Sequence, residues 1–217
     1  MRAASSPPSL QNSGVTLPHD FARTISRDDI NALPIRRYEG PVHLVATREE
    51  MERSAADFAA ERVVGFDTET RPSFRVGESH PPALAQVATA RAVWLFPLQR
   101  LDFSAVLEEF LSSSRTIKAG VGLGEDLRQL RKSFAFEPHA IVDLGALARR
   151  HKLEKSGVRP LAAMLLGFRI PKGAKTTNWA APRLSPQQIS YAATDAWACR
   201  ELYLKFEALG MIASQAR

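Results

Sequence analysis

Val63-Val64-Gly65-Phe66-Asp67-Thr68-Glu69-Thr70 is the stretch that decides how this chain is read. Its apolar first half has the composition of a buried strand. The alternation of side chains along a strand then sets Asp67 and Glu69 on one face near its end. Two carboxylates on one face of an apolar strand repel each other and lose hydration, so something cationic has to answer them. From this strand alone, an ion-pair network with basic side chains and a pair of bound metal ions answer equally well.

Outward from that strand, Val42-His43-Leu44-Val45 reads as a short strand and Thr47-Arg48-Glu49-Glu50 as a capping box. Met51, Ala55, Phe58 and Ala59 continue at helical spacing. Residues 71–82 are polar and turn-rich, and Leu84 to Ala88 and Ala92 to Phe96 form an antiparallel hairpin. Phe103, Val106, Leu107, Phe110 and Leu111 mark an amphipathic helix, Thr116 to Ala119 a strand, Leu127, Leu130 and Phe134 a helix, and Ala140 to Val142 a last strand. In Ser185-Pro186-Gln187-Gln188 an N-cap serine, a first-turn proline and a capping-box glutamine open a helix that runs to Leu209 and stops at Gly210. The predicted fold is a mixed α/β sheet: a three-strand meander plus parallel strands, flanked by helices.

The 217 residues, 45% hydrophobic, suffice for one full core. A net charge of +6 suits a polyanionic partner. One cysteine, Cys199, excludes an intrachain disulfide framework and a cysteine-rich zinc site. His80, His139 and His151 lack metal-ligand spacing. With no membrane-length apolar run and no secretory signal, the chain reads as an intracellular, cytoplasmic protein. Residues 1–35, with Ser5-Ser6-Pro7-Pro8-Ser9 and no hydrophobic period, read as a flexible extension ahead of a functional domain at 36–217.

Two further acidic motifs change the weight of Asp67 and Glu69. They are Gly120-Val121-Gly122-Leu123-Gly124-Glu125-Asp126-Leu127 and Tyr191-Ala192-Ala193-Thr194-Asp195. Tyr191 and Asp195 are four apart in a helical stretch and share a face. Several hard oxygen ligands together suit paired divalent cations. Singly, Asp126 also reads as a first-turn helix acid and Asp195 as a solvated residue. The glycines have Gly-x-Gly-x-Gly spacing, which suits a tight strand-to-helix turn and lacks the dinucleotide fingerprint. Asp143 reads as an N-cap.

Phe66-Asp67-Thr68-Glu69-Thr70, Lys118-Ala119-Gly120-Val121-Gly122 with Asp126-Leu127, and Tyr191 through Ala196 resemble, in that order, the three exonuclease motifs of the DEDD family. The tyrosine selects the DEDDy branch. The histidine branch needs its residue where Ser190 stands. Asn178-Trp179 and Leu184-Ser185 extend the likeness to ribonuclease D and Werner-syndrome-type exonuclease domains, over roughly residues 40 to 210. The resemblance implies a ribonuclease-H-like fold. It also implies hydrolysis of phosphodiesters from the single-stranded 3′ end of DNA or RNA with two divalent ions, Mg²⁺ or Mn²⁺. Asp67, Glu69 and Asp195 would hold one ion, Asp67 would bridge to the second, Asp126 would support that second ion, and Tyr191 would orient the attacking water. A catalytically weak or inactive nucleic-acid-binding module of the same fold is the alternative.

Between Arg169 and Arg183, Lys172, Lys175 and Arg183 alternate with Trp179. This reads either as phosphate contacts with a stacked base or as a solvated loop that Trp179 anchors. Gln86 resembles a family position near the terminal nucleotide.

Overall fold

The structure is a computed structural model and describes residues 22–73, 80–173 and 176–212. Its strands are β1 (Val42–Leu44), β2 (Val63–Thr70), β3 (Pro82–Ala88), β4 (Val93–Pro97), β5 (Ile117–Gly120) and β6 (Ile141–Asp143). Its helices are α1 (Arg27–Ala32), α2 (Arg48–Ala59), α3 (Ser104–Ser112), α4 (Leu123–Leu130), α5 (Leu144–Arg150), α6 (Val158–Leu161), which runs on into a π-helical turn at Ala162–Leu166, and α7 (Pro186–Ala208).

The strands form one sheet in the order β1-β4-β3-β2-β5-β6. β2, β3 and β4 are the antiparallel meander expected from their short connections. β5 and β6 continue the sheet parallel to β2, and β1 pairs parallel with β4 at the far edge. The mixed α/β reading therefore holds.

Alternation along β2 divides the core. Val64 and Phe66 pack with Phe58, Leu107, Phe110 and Leu123 on the face covered by α2, α3 and α4. Val63, on the opposite face, packs with Leu202 and Phe206 of α7. Both capping boxes are formed, Thr47 with Glu50 at α2 and Ser185 with Gln188 at α7. Gly210 ends the last helical segment with a φ of 68°, a conformation that favours glycine. Gly122, at φ 76°, caps α4 and starts it at Leu123, four residues ahead of the expected Leu127. That helix ends at Leu130, so Phe134 lies beyond it.

Of the extension read over residues 1–35, residues 1–21 lie outside the described residues. Within the remainder, Ser26 caps α1 by accepting from the Asp29 amide. The chain after α1 is tied to Arg169 by three hydrogen bonds: the Arg169 amide to the Pro34 carbonyl, the Arg36 amide to the Arg169 carbonyl, and the Arg169 Nε to the Leu33 carbonyl. Docking of this segment rests on backbone groups and carries no hydrophobic period, which is why composition does not announce it. No helix among the described residues is long and apolar enough to cross a membrane.

The seating of α7 depends on Gly65. A Cβ placed there would lie 1.8 Å from the Ala196 carbonyl oxygen and 2.8 Å from the Arg200 amide nitrogen, so helix backbone lies directly on strand backbone. On that account Gly65→Ala lowers stability by at least ~2 kcal/mol, a fall in Tm of roughly 4–8 °C in a thermal melt. Gly124→Ala serves as the control, since a Cβ at Gly124 meets nothing within 4 Å. An unchanged Tm for Gly65→Ala would contradict this packing.

Candidate active site

Three carboxylates meet where β2 emerges from beneath α7. Asp67 and Glu69 come from the strand face that α7 covers, and Asp195 comes from α7 itself, one residue before the carbonyl that touches Gly65. One oxygen from each of the three lies within 4.8 Å of the others. Burial pushes the Asp67 carboxyl well above the usual carboxylate range, and the charges of Asp195, Glu69 and Asp126 push it further. The three side chains are hard oxygen donors at close quarters that repel one another. That is the donor set a divalent cation of the magnesium type prefers. They fit the ions that the motif resemblance implies.

Asp126 is not a member of that triad. It sits in the first turn of α4, and its Oδ1 accepts a hydrogen bond from the Thr68 hydroxyl at 2.6 Å. Thr68 alternates with Asp67 and Glu69 along β2, so its bond reaches the adjoining side of the strand end. Burial raises the Asp126 pKa against that hydrogen bond. Its charge still acts on Asp67.

Tyr191 lies one helical turn before Asp195 on α7, close enough for the Asp195 charge to act on its phenol. Burial first, then the charges of Asp195 and Glu69, pushes the phenol far above its usual pKa, so Tyr191 remains a neutral O–H donor. The ring is fixed by Trp179, 5.9 Å away between centroids, and by Gly173, where a Cβ would come within 2.7 Å of the Tyr191 Cδ2. Asp67, Thr68, Glu69, Tyr191 and Asp195 share one cavity of about 360 Å³ with Val121, Gly157, Val158, Arg159 and Pro160.

The remaining sequence candidates scatter. Gln86 pairs with Asp67 across β2 and β3, but it is 0% exposed and both of its amide atoms are buried without a hydrogen-bond partner among the described residues. Trp179 is 2% exposed within the core beneath α7, which leaves no open ring face for a base, so it anchors its loop. Asn178 beside it accepts from Gln188 through its carbonyl. Lys172 is exposed and lines a second cavity of about 520 Å³ that also borders Tyr191. Arg183 is exposed but does not line that cavity. Lys175 lies outside the described residues.

Sequence reasoning missed three residues. Thr68 stands within the decisive stretch, and its signal is the alternation that turns it away from the two acids. Arg37 lines the Lys172 cavity from the segment docked on Arg169. Arg159 lines the acidic cavity from α6, with its guanidinium carbon 5.5 Å from the centre of the Tyr191 ring. Neither arginine has a local pattern that marks it, because each acquires its neighbours only through chain folding.

Comparison with known proteins agrees with the geometry. The family described as 3′-5′ exonuclease matches residues 42–210, a stretch that holds all four acids and Tyr191. The Exonuclease mut-7 homolog of Homo sapiens is 28% identical over 206 residues, covering 82% of this chain and 23% of its own length. Ribonuclease D of Haemophilus influenzae is 32% identical over 174 residues, covering 78% of this chain and 43% of its own length. The chain thus spans less than half the length of either relative. The crystal structure of the Aedes aegypti Nibbler EXO domain has a TM-score of 0.71 at 24% identity, covering 82% of this chain and 92% of that one, a likeness of fold. The sheet is therefore of the ribonuclease-H-like kind, and the chain, acidic motifs included, belongs to the 3′-5′ exonuclease family.

Proposed function

We propose that this protein hydrolyses phosphodiester bonds from the 3′ end of single-stranded DNA or RNA and depends on two divalent ions, Mg²⁺ or Mn²⁺. Residues 36–217 serve as the nuclease domain in this reading and residues 1–35 as an arm. The observation that carries it is the convergence of Asp67, Glu69 and Asp195 within 4.8 Å in a cavity that Tyr191 also lines. These three acids would hold the ions, with Asp126 as an adjoining charge. Divalent ions, when bound, supply an electrophile that offsets charge at phosphorus and lowers the pKa of water.

The chain's own part is to bind, orient and handle a proton. The neutral Tyr191 hydroxyl belongs to a side chain that lines the acidic cavity with Asp195, where it can hydrogen-bond to the attacking water. That water adds to phosphorus, the O3′–P bond breaks, and the products are a nucleoside 5′-monophosphate and a strand with a new 3′-hydroxyl. Lys172 and Arg37 line the neighbouring cavity on the Tyr191 border, which suits the sugar-phosphate backbone leading into the site. The direct test incubates the protein with 3′- and 5′-labelled DNA and RNA strands, with Mg²⁺, Mn²⁺ or EDTA. Stepwise 3′ shortening that EDTA stops is the expected result, and metal-independent cleavage would overturn it.

Three further outcomes follow from the site. In metal-free protein the raised Asp67 carboxyl gives up its proton more readily unfolded than folded. Its contribution to stability therefore falls as pH rises from the usual carboxylate range toward the raised folded value. Asp67→Asn removes that penalty, so a folded variant with equal or higher Tm and no turnover is expected. Mn²⁺ at about 100 times its Kd should stabilise the wild-type protein by about 2.7 kcal/mol and Asp67→Asn by much less, as a thermal melt reads. Equal stabilisation of both would remove Asp67 from the ion site.

Tyr191→Phe should hurt less than Asp67→Asn. It keeps the ring and loses the hydroxyl, so turnover falls within or below the roughly 10²–10⁴-fold typical of a proton-handling group, with KM and Tm nearly unchanged. Unchanged turnover would make Tyr191 a packing residue. Replacing Lys172 and Arg37 together by Ala should flatten the salt dependence of strand binding by about 0.7 in log–log slope for each phosphate that is no longer neutralised. An unchanged slope would remove the second cavity from the strand's path.

A further inference from the structure

Arg159 is a cation lining a cavity built of carboxylates, and its Nη2 is buried with no hydrogen-bond partner among the described residues. A buried N–H of a charged group without an acceptor is costly, and natural structures supply a partner for nearly all such groups. The guanidinium already has a packing role, because its carbon stands 5.5 Å from the Tyr191 ring centre. That contact is electrostatic, made to the face of the ring, and uses up no N–H donor of the guanidinium.

An anion that enters this cavity would supply the acceptor that Nη2 lacks. Asp67, Glu69 and Asp195 are concentrated within 4.8 Å of one another and suit cations. A phosphate brings non-bridging oxygens that a guanidinium edge recognises directionally, with each charge-assisted bond about twice as strong as a neutral one. We infer that Arg159 is a phosphate-binding residue of the site, its guanidinium shifting on the cavity wall to bring Nη2 to a non-bridging oxygen of the scissile phosphate, which becomes the 5′-phosphate of the released nucleotide. This rests on the nuclease reading of the same cavity. Its consequence is that a cation contributed by α6 offsets the triad's repulsion for an anionic strand.

The rival role is packing alone, in which Arg159 does no more than hold the Tyr191 ring. Binding of thymidine 5′-monophosphate and of thymidine separates the two, because only the first carries the phosphate. Titrate each into the full chain with Mg²⁺ by calorimetry, for the wild-type protein, Arg159→Met and Arg159→Lys. Arg159→Met keeps the aliphatic stem and removes the charge. The wild-type protein should prefer the monophosphate, and Arg159→Met should weaken monophosphate binding by about 10- to 100-fold while thymidine binding stays the same. Arg159→Lys, which keeps the charge without the fork, should restore part of the difference, and it carries the test if Arg159→Met does not fold. Equal loss for both ligands, no loss for either, or no monophosphate preference in the wild-type protein would overturn the assignment. Because the readout is binding, absence of strand hydrolysis by the wild-type protein counts against the nuclease reading alone.

Discussion

The architecture depends on one backbone contact, the seating of α7 on β2 at Gly65. A side chain there would occupy the position of the Ala196 carbonyl, so any larger residue would force the helix off the strand. Ala192, Ala193 and Ala196 extend the same close fit along the helix, all with no exposed surface. Small residues on both partners let the two backbones approach. That approach determines where Asp195 and Tyr191 fall relative to Asp67 and Glu69. The site is thus a product of how tightly one helix packs, and neither element carries it alone.

Electrostatically, the fold is arranged against its own stability at this point. Asp67 has Glu69, Asp195 and Asp126 acting on it, and burial strips part of its hydration. A core that served folding alone would place apolar side chains there, and such local conflict marks positions retained for function. Around the triad the sign reverses. Arg159, Arg37 and Lys172 line the acidic cavity or the one beside it, in a chain with a net charge of +6. In the proposed function, the acidic floor would take the cations and the basic walls the phosphates of a polyanionic strand.

Much of this is legible before any coordinates, for local reasons. The β2 acids follow from period-two alternation, α7 from a capping box and a first-turn proline, and the meander from short connections. Asp143 caps α5 as expected, accepting from the Gly145 and Ala146 amides. What escapes depends on neighbours distant in sequence. Composition leaves Trp179 balanced between a base-stacking platform and a core anchor, and only the packing of α7 over its ring decides for the anchor. The Thr68 hydroxyl that engages Asp126 beside the triad is another such neighbour, set there by the packing of α4 against β2. Arg37 and Arg159 lie in stretches with no motif, and their meaning comes from what folding sets beside them.

The central claim is that Gly65 packing makes Asp67, Glu69 and Asp195 one composite cation site. It is tested most directly by a crystal structure of the protein grown with manganese, in which anomalous scattering locates the ion without reference to activity. The account predicts a manganese peak bounded by oxygens of those three residues, with α7 seated on Gly65 as described. Carboxylates satisfied by arginine or lysine side chains, with manganese absent from between them, would contradict it.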